Sequence, residues 1–423
     1  MHLGQTYRKT VLQNGVRVIS EEINHVRSVS IGIWVKSGSR YEDQTTNGTA
    51  HFIEHMLFKG TARRSAFDIA SGIDSVGGMM NAFTGKELTS FYIKIPDYHV
   101  SLAIDLLADI FLNSRFQAED IGKEQSVVLQ EISMLEDSPD DYIHDFFEAV
   151  FWNGHPLGLS VLGTKDQIVH LNRDRLVSFF NARYGGDNLV IAAAGHVKHD
   201  VFVELVNEAF QSMGQKTVDV ETCKPQVSST VAVHQKDLEQ VHMMIGTVAP
   251  SATSPERYAS FLLNAVLGGS MSSRLFQEIR EKRGLAYAIH SYLAPYRDTG
   301  LLGIYAGTGE TQVRIIVDLV EDALKRLCDE ALTEKEIHDA KELIKGNFLL
   351  GMESTDNRMT RLAKNEICFG EQTSPEEVVR RIEAVEREEI RKLACEMFHP
   401  RVLSQVALGR ISEKDIAFSW QRG

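Results

Sequence analysis

Between Ser28 and Lys36 the chain reads SVSIGIWVK, with a β-branched apolar residue at every second position. That period predicts a strand with one face in a core, and Val16–Ser20 repeats it. Helical spacing takes over at His51–Phe58. A second helix is expected after Ser65, over AFDIASGIDSVGG, stopped by Gly77 and Gly78. Met79–Thr84 and Leu88–Ile95 read as two strands joined by Gly85-Lys86-Glu87. Amphipathic helices are predicted over about 98–113, 117–136 and 139–152. The apolar run Asn188–Val197 (NLVIAAAGHV) reads as a buried strand, followed by a helix to about Met213.

Gly214–Ser229 is polar, lacks periodicity and contains Pro225, so it reads as an interdomain linker. The pattern then recurs. A strand at Gln240–Val248 precedes helices near 255–267 and 273–282. Strands near Leu285–Leu293 and Leu301–Gly307 precede long helices, and a late strand starts at Val402. Asn188 lies 159 residues after Val29, and Val402 lies 161 after Val241. One order at one spacing predicts an α+β protein of two duplicated domains, each a mainly antiparallel β-sheet packed with α-helices. The expected domains are 1–213 and 230–423, joined by 214–229.

A length of 423 residues with 43% hydrophobic and 24% charged content excludes a disordered chain. The balance of 45 basic against 58 acidic residues, net −13, argues against nucleic acid and permits a cationic partner. The four cysteines form no CxxC pair, which points to free thiols rather than a disulfide framework. The N-terminal segment lacks an apolar stretch and carries Glu21 and Glu22, unlike a signal or transit peptide. With no apolar run long enough to span a bilayer, no membrane partner and a cytoplasmic location are expected.

The most informative residues are His51-Phe52-Ile53-Glu54-His55. On a helix, positions i and i+4 share a face, so the two imidazoles can hold one Zn²⁺ while Glu54 projects to the same side to act on a water. This HxxEH order is the inverzincin form of the zinc-protease motif. Random placement of the chain's 15 histidines and 58 acids gives only roughly 0.07 such matches. The apolar neighbours Phe52, Ile53, Met56, Leu57 and Phe58 mark a buried helix, where polar residues need partners. A hydrolytic zinc needs a third protein ligand. Glu124 and Glu131 are seven apart on one face of the 117–136 helix, and periodicity does not choose between them.

The HFIEH motif, followed 76 positions later by Glu131, resembles the pitrilysin family of M16-type zinc metallopeptidases. TVLQNGVRV, HFIEHMLFKGT, GGMMNAFTGKELTSFY, VLQEI, LGTKDQI and SSRLFQEIREKRGLAY are similar to its bacterial, mitochondrial-processing-peptidase-like branch. The resemblance implies His51, His55 and Glu131 as ligands of one Zn²⁺ per subunit, Glu54 as general base, and Glu124 as the carboxylate that orients a ligand histidine. It implies an edge strand with Asn81 and Ala82 that pairs with an extended substrate. Arg280 and Tyr287 match the residues that stabilise the substrate carbonyl. Asp141 and Asp145 fall where related enzymes read an arginine, and Phe58 falls at an apolar pocket. Gly268-Gly269-Ser270 aligns with a glycine-rich substrate loop, although a helix end and turn explain it as well. Related single chains close four such domains as a clamshell, and this chain has the length for two. The expected activity is a zinc-dependent endopeptidase acting on unfolded peptides or presequence-like segments inside a clamshell chamber, as a homodimer whose sites are completed in trans. The alternatives are a non-catalytic subunit for assembly or substrate capture, which would be expected to have lost part of the motif, and a zinc hydrolase of small amides.

Overall fold

The computed structural model describes residues 7–214, 217–218 and 222–421. The expected linker at 214–229 and the N-terminal segment lie partly outside the described residues. Strands Tyr7–Val11 (β1), Arg17–Glu22 (β2) and Ser28–Val35 (β3) lead into helices Thr49–Leu57 (α1) and Ala66–Asp74 (α2). Strands Met79–Thr84 (β4) and Thr89–Pro96 (β5) follow. Helices Val100–Asn113 (α3), Ala118–Asp137 (α4), Pro139–Phe151 (α5), Lys165–His170 (α6) and Arg173–Arg183 (α7) precede strand Leu189–Gly195 (β6) and helix His199–Phe210 (α8). The sheet runs β1-β2-β6-β3-β5-β4. Only β2 and β6 pair in parallel; the other neighbours are antiparallel. The alternating Val29, Ile31, Ile33 and Val35 of β3 share one core with Phe52, Ile53, Phe111 and Phe202 from the helices.

In the second half, strands Val231–Gln235 (β7) and Val241–Ala249 (β8) lead to helix Arg257–Leu267 (α9) and a wide helical turn, Phe276–Glu281. Strands Ala286–Pro295 (β9) and Gly300–Thr308 (β10) precede five helices: Val313–Asp329 (α10), Glu334–Gly351 (α11), Thr355–Phe369 (α12), Pro375–Ala384 (α13) and Arg387–Met397 (α14). Strand Ser404–Gly409 (β11) and helix Glu413–Ile416 (α15) follow. This sheet runs β7-β11-β8-β10-β9, again with one parallel pair, β7 with β11. Position for position it repeats β2-β6-β3-β5-β4, and β1 is the addition in the first sheet. The fold is thus α+β, two sheets of one topology packed with helices.

The chain forms two compact units, and each keeps the body of one half while taking one segment from the other. Leu350–Ser374 belongs with the first sheet, and Met134–Gly158 with the second. The reason is that each sheet has a second apolar face. Ile143, Phe147 and Phe151 of α5, spaced four apart, are buried against Met244, Tyr305 and Val406. Met359, Leu362 and Ala363 of α12 are buried against Ile19, Trp34 and Val190. Polar contacts fix α12 as well: Asp356 accepts from Ser30 Oγ at 2.6 Å and from Lys94 Nζ at 2.9 Å, and Lys9 Nζ lies 2.6 Å from the buried Glu366. Among the described residues no helix is long and apolar enough to cross a membrane.

Candidate metal centre

Helix α1 is anchored by its apolar residues. Phe52, Ile53, Met56 and Leu57 are buried, which turns His51, Glu54 and His55 together toward the remaining side. Its start has no side-chain cap from the N-cap residue Gly48, which sits at φ 86°. The buried carboxylate of Glu42 supplies the cap instead, accepting from the amides of Ala50 at 2.7 Å and Gly48 at 2.9 Å. Burial pushes the Glu42 carboxyl up to about 7, against the opposing pull of these N–H donors.

Helix α4 brings the third group. Its buried stripe of Ile121, Val128 and Ile132 sets the rotation that presents Glu124 and Glu131 to α1. Glu131 Oε2 lies 3.7 Å from Nε2 of His51 and 3.7 Å from Nε2 of His55. The Nδ1 atom of His55 is 2.8 Å from Glu124 Oε2, and Lys59 Nζ holds the other Glu124 oxygen at 2.5 Å. With Lys59 donating to one Glu124 oxygen, the other accepts from His55 Nδ1–H, which leaves the lone pair of His55 on Nε2. Burial first, then the neighbouring His55, pushes His51 down to about 4, so its ring is neutral at physiological pH.

These residues fit a zinc ion. Among the described residues Glu131 Oε2 is buried with no hydrogen-bond partner, and so is His51 Nδ1. Glu131 Oε2 faces Nε2 of both histidines at distances too long for hydrogen bonds, an arrangement that a bridging cation satisfies. In tetrahedral zinc sites with bonds of ~2.0–2.1 Å, ligand atoms lie about 3.4 Å apart. The observed 3.7 Å separations come within a few tenths of that value. Glu54 completes the cluster. Its Oε2 accepts from the hydroxyl of Thr84 at 2.5 Å, and burial raises its carboxyl above the usual range although Thr84 and His55 oppose this.

Of the other expected site residues, Asn81 and Ala82 lie on β4, an edge strand of the first sheet among the described residues. Asn81 Oδ1 accepts from the Ala82 amide at 2.8 Å. Phe58, at the end of α1, is half-buried with its ring 6.2 Å from that of Phe91. Arg280 and Tyr287 belong to the second unit and are close to each other: the guanidinium stacks 5.0 Å above the tyrosine ring. Tyr287 is 82% exposed on β9, an edge strand, so it is not packed into a core. Asp141 and Asp145 lie on α5, and Asp141 accepts from Ser138 Oγ at 2.7 Å. Gly268 ends α9, where an added Cβ would meet the Ser291 amide at 2.7 Å.

Three site residues escaped the sequence reading. Lys59 is four residues beyond His55, and that spacing was a usable signal. Thr84 and Glu42 were not findable by periodicity, because they reach the site from a strand end and a loop.

Similar proteins carry the same architecture. A family model described as Insulinase (Peptidase family M16) matches residues 17–165, and one described as Peptidase M16 inactive domain matches 170–344. An uncharacterized zinc protease of Bacillus subtilis is 40% identical over 391 residues, covering 92% of this chain and 95% of the relative. An uncharacterized zinc protease of Streptomyces coelicolor is 40% identical over 417 residues, covering 97% and 91%. The crystal structure of a protease from Helicobacter pylori superposes with a TM-score of 0.87 at 22% identity, covering 96% of this chain and all (100%) of that one. At that identity the likeness shows the fold.

Proposed function

The chain belongs to peptidase family M16, and from that membership we propose that it is a zinc-dependent endopeptidase that hydrolyses peptide bonds of unfolded peptides or presequence-like segments. The observation that carries the reading is the Glu131 oxygen set between two imidazole nitrogens without a donor, beside a half-buried Glu54. His51, His55 and Glu131 would hold one Zn²⁺ per subunit. When bound, zinc supplies a Lewis acid that polarises the scissile carbonyl and eases the ionisation of water near neutral pH.

The chain's own groups do the rest. Glu54 takes a proton from the attacking water as its oxygen bonds to the carbonyl carbon. It then returns that proton to the amide nitrogen as the C–N bond breaks. Its raised carboxyl suits it to hold the proton between the two steps. Glu124, backed by Lys59, keeps His55 in one tautomer and orientation. The open edge of β4 at Asn81 and Ala82 would pair with the main chain of an extended peptide, which tolerates varied side chains. Arg280 and Tyr287 would donate to the developing oxyanion of a second copy's site in a homodimer, closed as a clamshell that admits unfolded chains. Phe58 would line an apolar pocket, and Asp141 with Asp145 would read an arginine of the substrate.

A non-catalytic capture subunit is the competing reading, and the intact set of His51, Glu54, His55 and Glu131 speaks against it. The test is incubation of the zinc-loaded protein with a basic unstructured peptide, with and without a chelator. Cleavage that the chelator stops and zinc restores is expected. Binding without cleavage would favour the capture subunit.

A further inference from the structure

Thr84 has no part in the mechanism above, yet its hydroxyl donates to Glu54 Oε2 at 2.5 Å, a short bond to a carboxylate. Both ends of that bond are held. Thr84 is the last residue of β4, with its backbone in register with Thr89 of β5. A β-branched side chain has few χ1 choices, so a fixed backbone fixes the hydroxyl. Glu54 projects from α1, whose apolar residues are buried in the same core that packs against Met80 and Ala82 of β4. A glutamate carboxyl otherwise turns freely about its last torsion. The threonine engages Oε2, so Oε1 is the oxygen left for proton transfer. The strand that supplies this hydroxyl is the same edge strand on which a peptide would lie.

We propose that Thr84 is a positioning residue, whose hydroxyl sets the Glu54 carboxylate for proton transfer and keys it to the peptide-binding strand. This rests on the reading of Glu54 as the base. The Thr84 proton stays on its oxygen throughout; the transferred proton enters and leaves by Glu54 Oε1. Misalignment of a reacting group costs rate rather than binding, so the effect belongs in kcat.

The experiment compares full-length, zinc-loaded wild type with Thr84→Val, Thr84→Ala, Thr84→Ser and Glu54→Gln on one unstructured peptide. Zinc content is measured alongside. Val and Ala variants are expected to lose about 10- to 100-fold in kcat with KM within about 2-fold and zinc unchanged. Thr84→Ser, which restores only the hydroxyl relative to Ala, should recover most of the loss. In metal-free protein, the Glu54 carboxyl ¹³C resonance, assigned by its absence in Glu54→Gln, should shift in the Val variant and stay in the Ser variant. A Val variant with wild-type kcat, a loss confined to KM, or a Ser variant no better than Ala overturns the proposal. A wild type that does not cleave overturns the peptidase reading itself, a Glu54→Gln protein that cleaves normally overturns Glu54 as the base, and either takes this inference with it.

Discussion

Glu124 and Glu131 stand seven residues apart on α4, and their surroundings differ. Glu124 is buried between His55 and Lys59, with both oxygens engaged. Glu131 points one oxygen at two imidazole nitrogens and finds no donor there. Replacing Glu131 by Gln should therefore lower zinc content sharply. Glu124→Gln should cost roughly 10- to 100-fold in metal affinity while leaving a measurable site. Metal analysis that gives the reverse order would reassign the two carboxylates. Periodicity carried half of this, and the choice of Glu131 over Glu124 came from the family resemblance. The i, i+4 spacing of His51 and His55 placed two ligand candidates on one helix face, whereas choosing a carboxylate needs the rotation of α4 against α1, which periodicity does not contain. Thr84 lies outside any motif spacing and only packing brings it in, whereas Lys59 stands four residues after His55.

At the scale of elements, alternation in β3 announced a strand, and its apolar face is the core face. Its other face misled, because Ser30 looks like a solvent position yet bonds Thr355 and Asp356 of α12. Arg358 and Glu366 of α12 also pair with the sheet, through Glu21 and Lys9. The exchange of α5 and α12 between units was invisible for that reason. The short strands β1 and β7 pair at sheet edges with little buried apolar area and left no pattern to read. Helix α1 offers a pH prediction. Glu42 caps it, and its folded value of about 7 lies above the ordinary 4.5. A raised carboxyl means that the folded state binds the proton more tightly, so this stability is full below 4.5 and fades as pH rises through 7. Wild type should gain in thermal midpoint relative to Glu42→Gln as pH falls across that window, in metal-free protein. A constant difference would show that Glu42 does not titrate there. On α5, replacing Asp141 and Asp145 by Asn should lower the preference for arginine-containing peptides, and an unchanged ratio of cleavage rates against arginine-free peptides would remove them from specificity.

For the whole molecule, the duplicated topology puts the metal cluster in one unit and the Arg280–Tyr287 pair in the other. If sites are completed between two copies, mixing Glu54→Gln with Tyr287→Phe under subunit exchange should restore one intact site per mixed dimer. A fully active monomer in sedimentation, or exchange without recovery, would end the trans account. In the proposed mechanism three ligands hold a zinc ion beside a glutamate that moves the proton. The most direct measurement is peptide cleavage by the Glu54→Gln protein after its zinc content has been determined. One zinc per chain is expected, as in wild type, with kcat lower by at least about a hundredfold. Wild-type turnover in the zinc-loaded variant would contradict the mechanism.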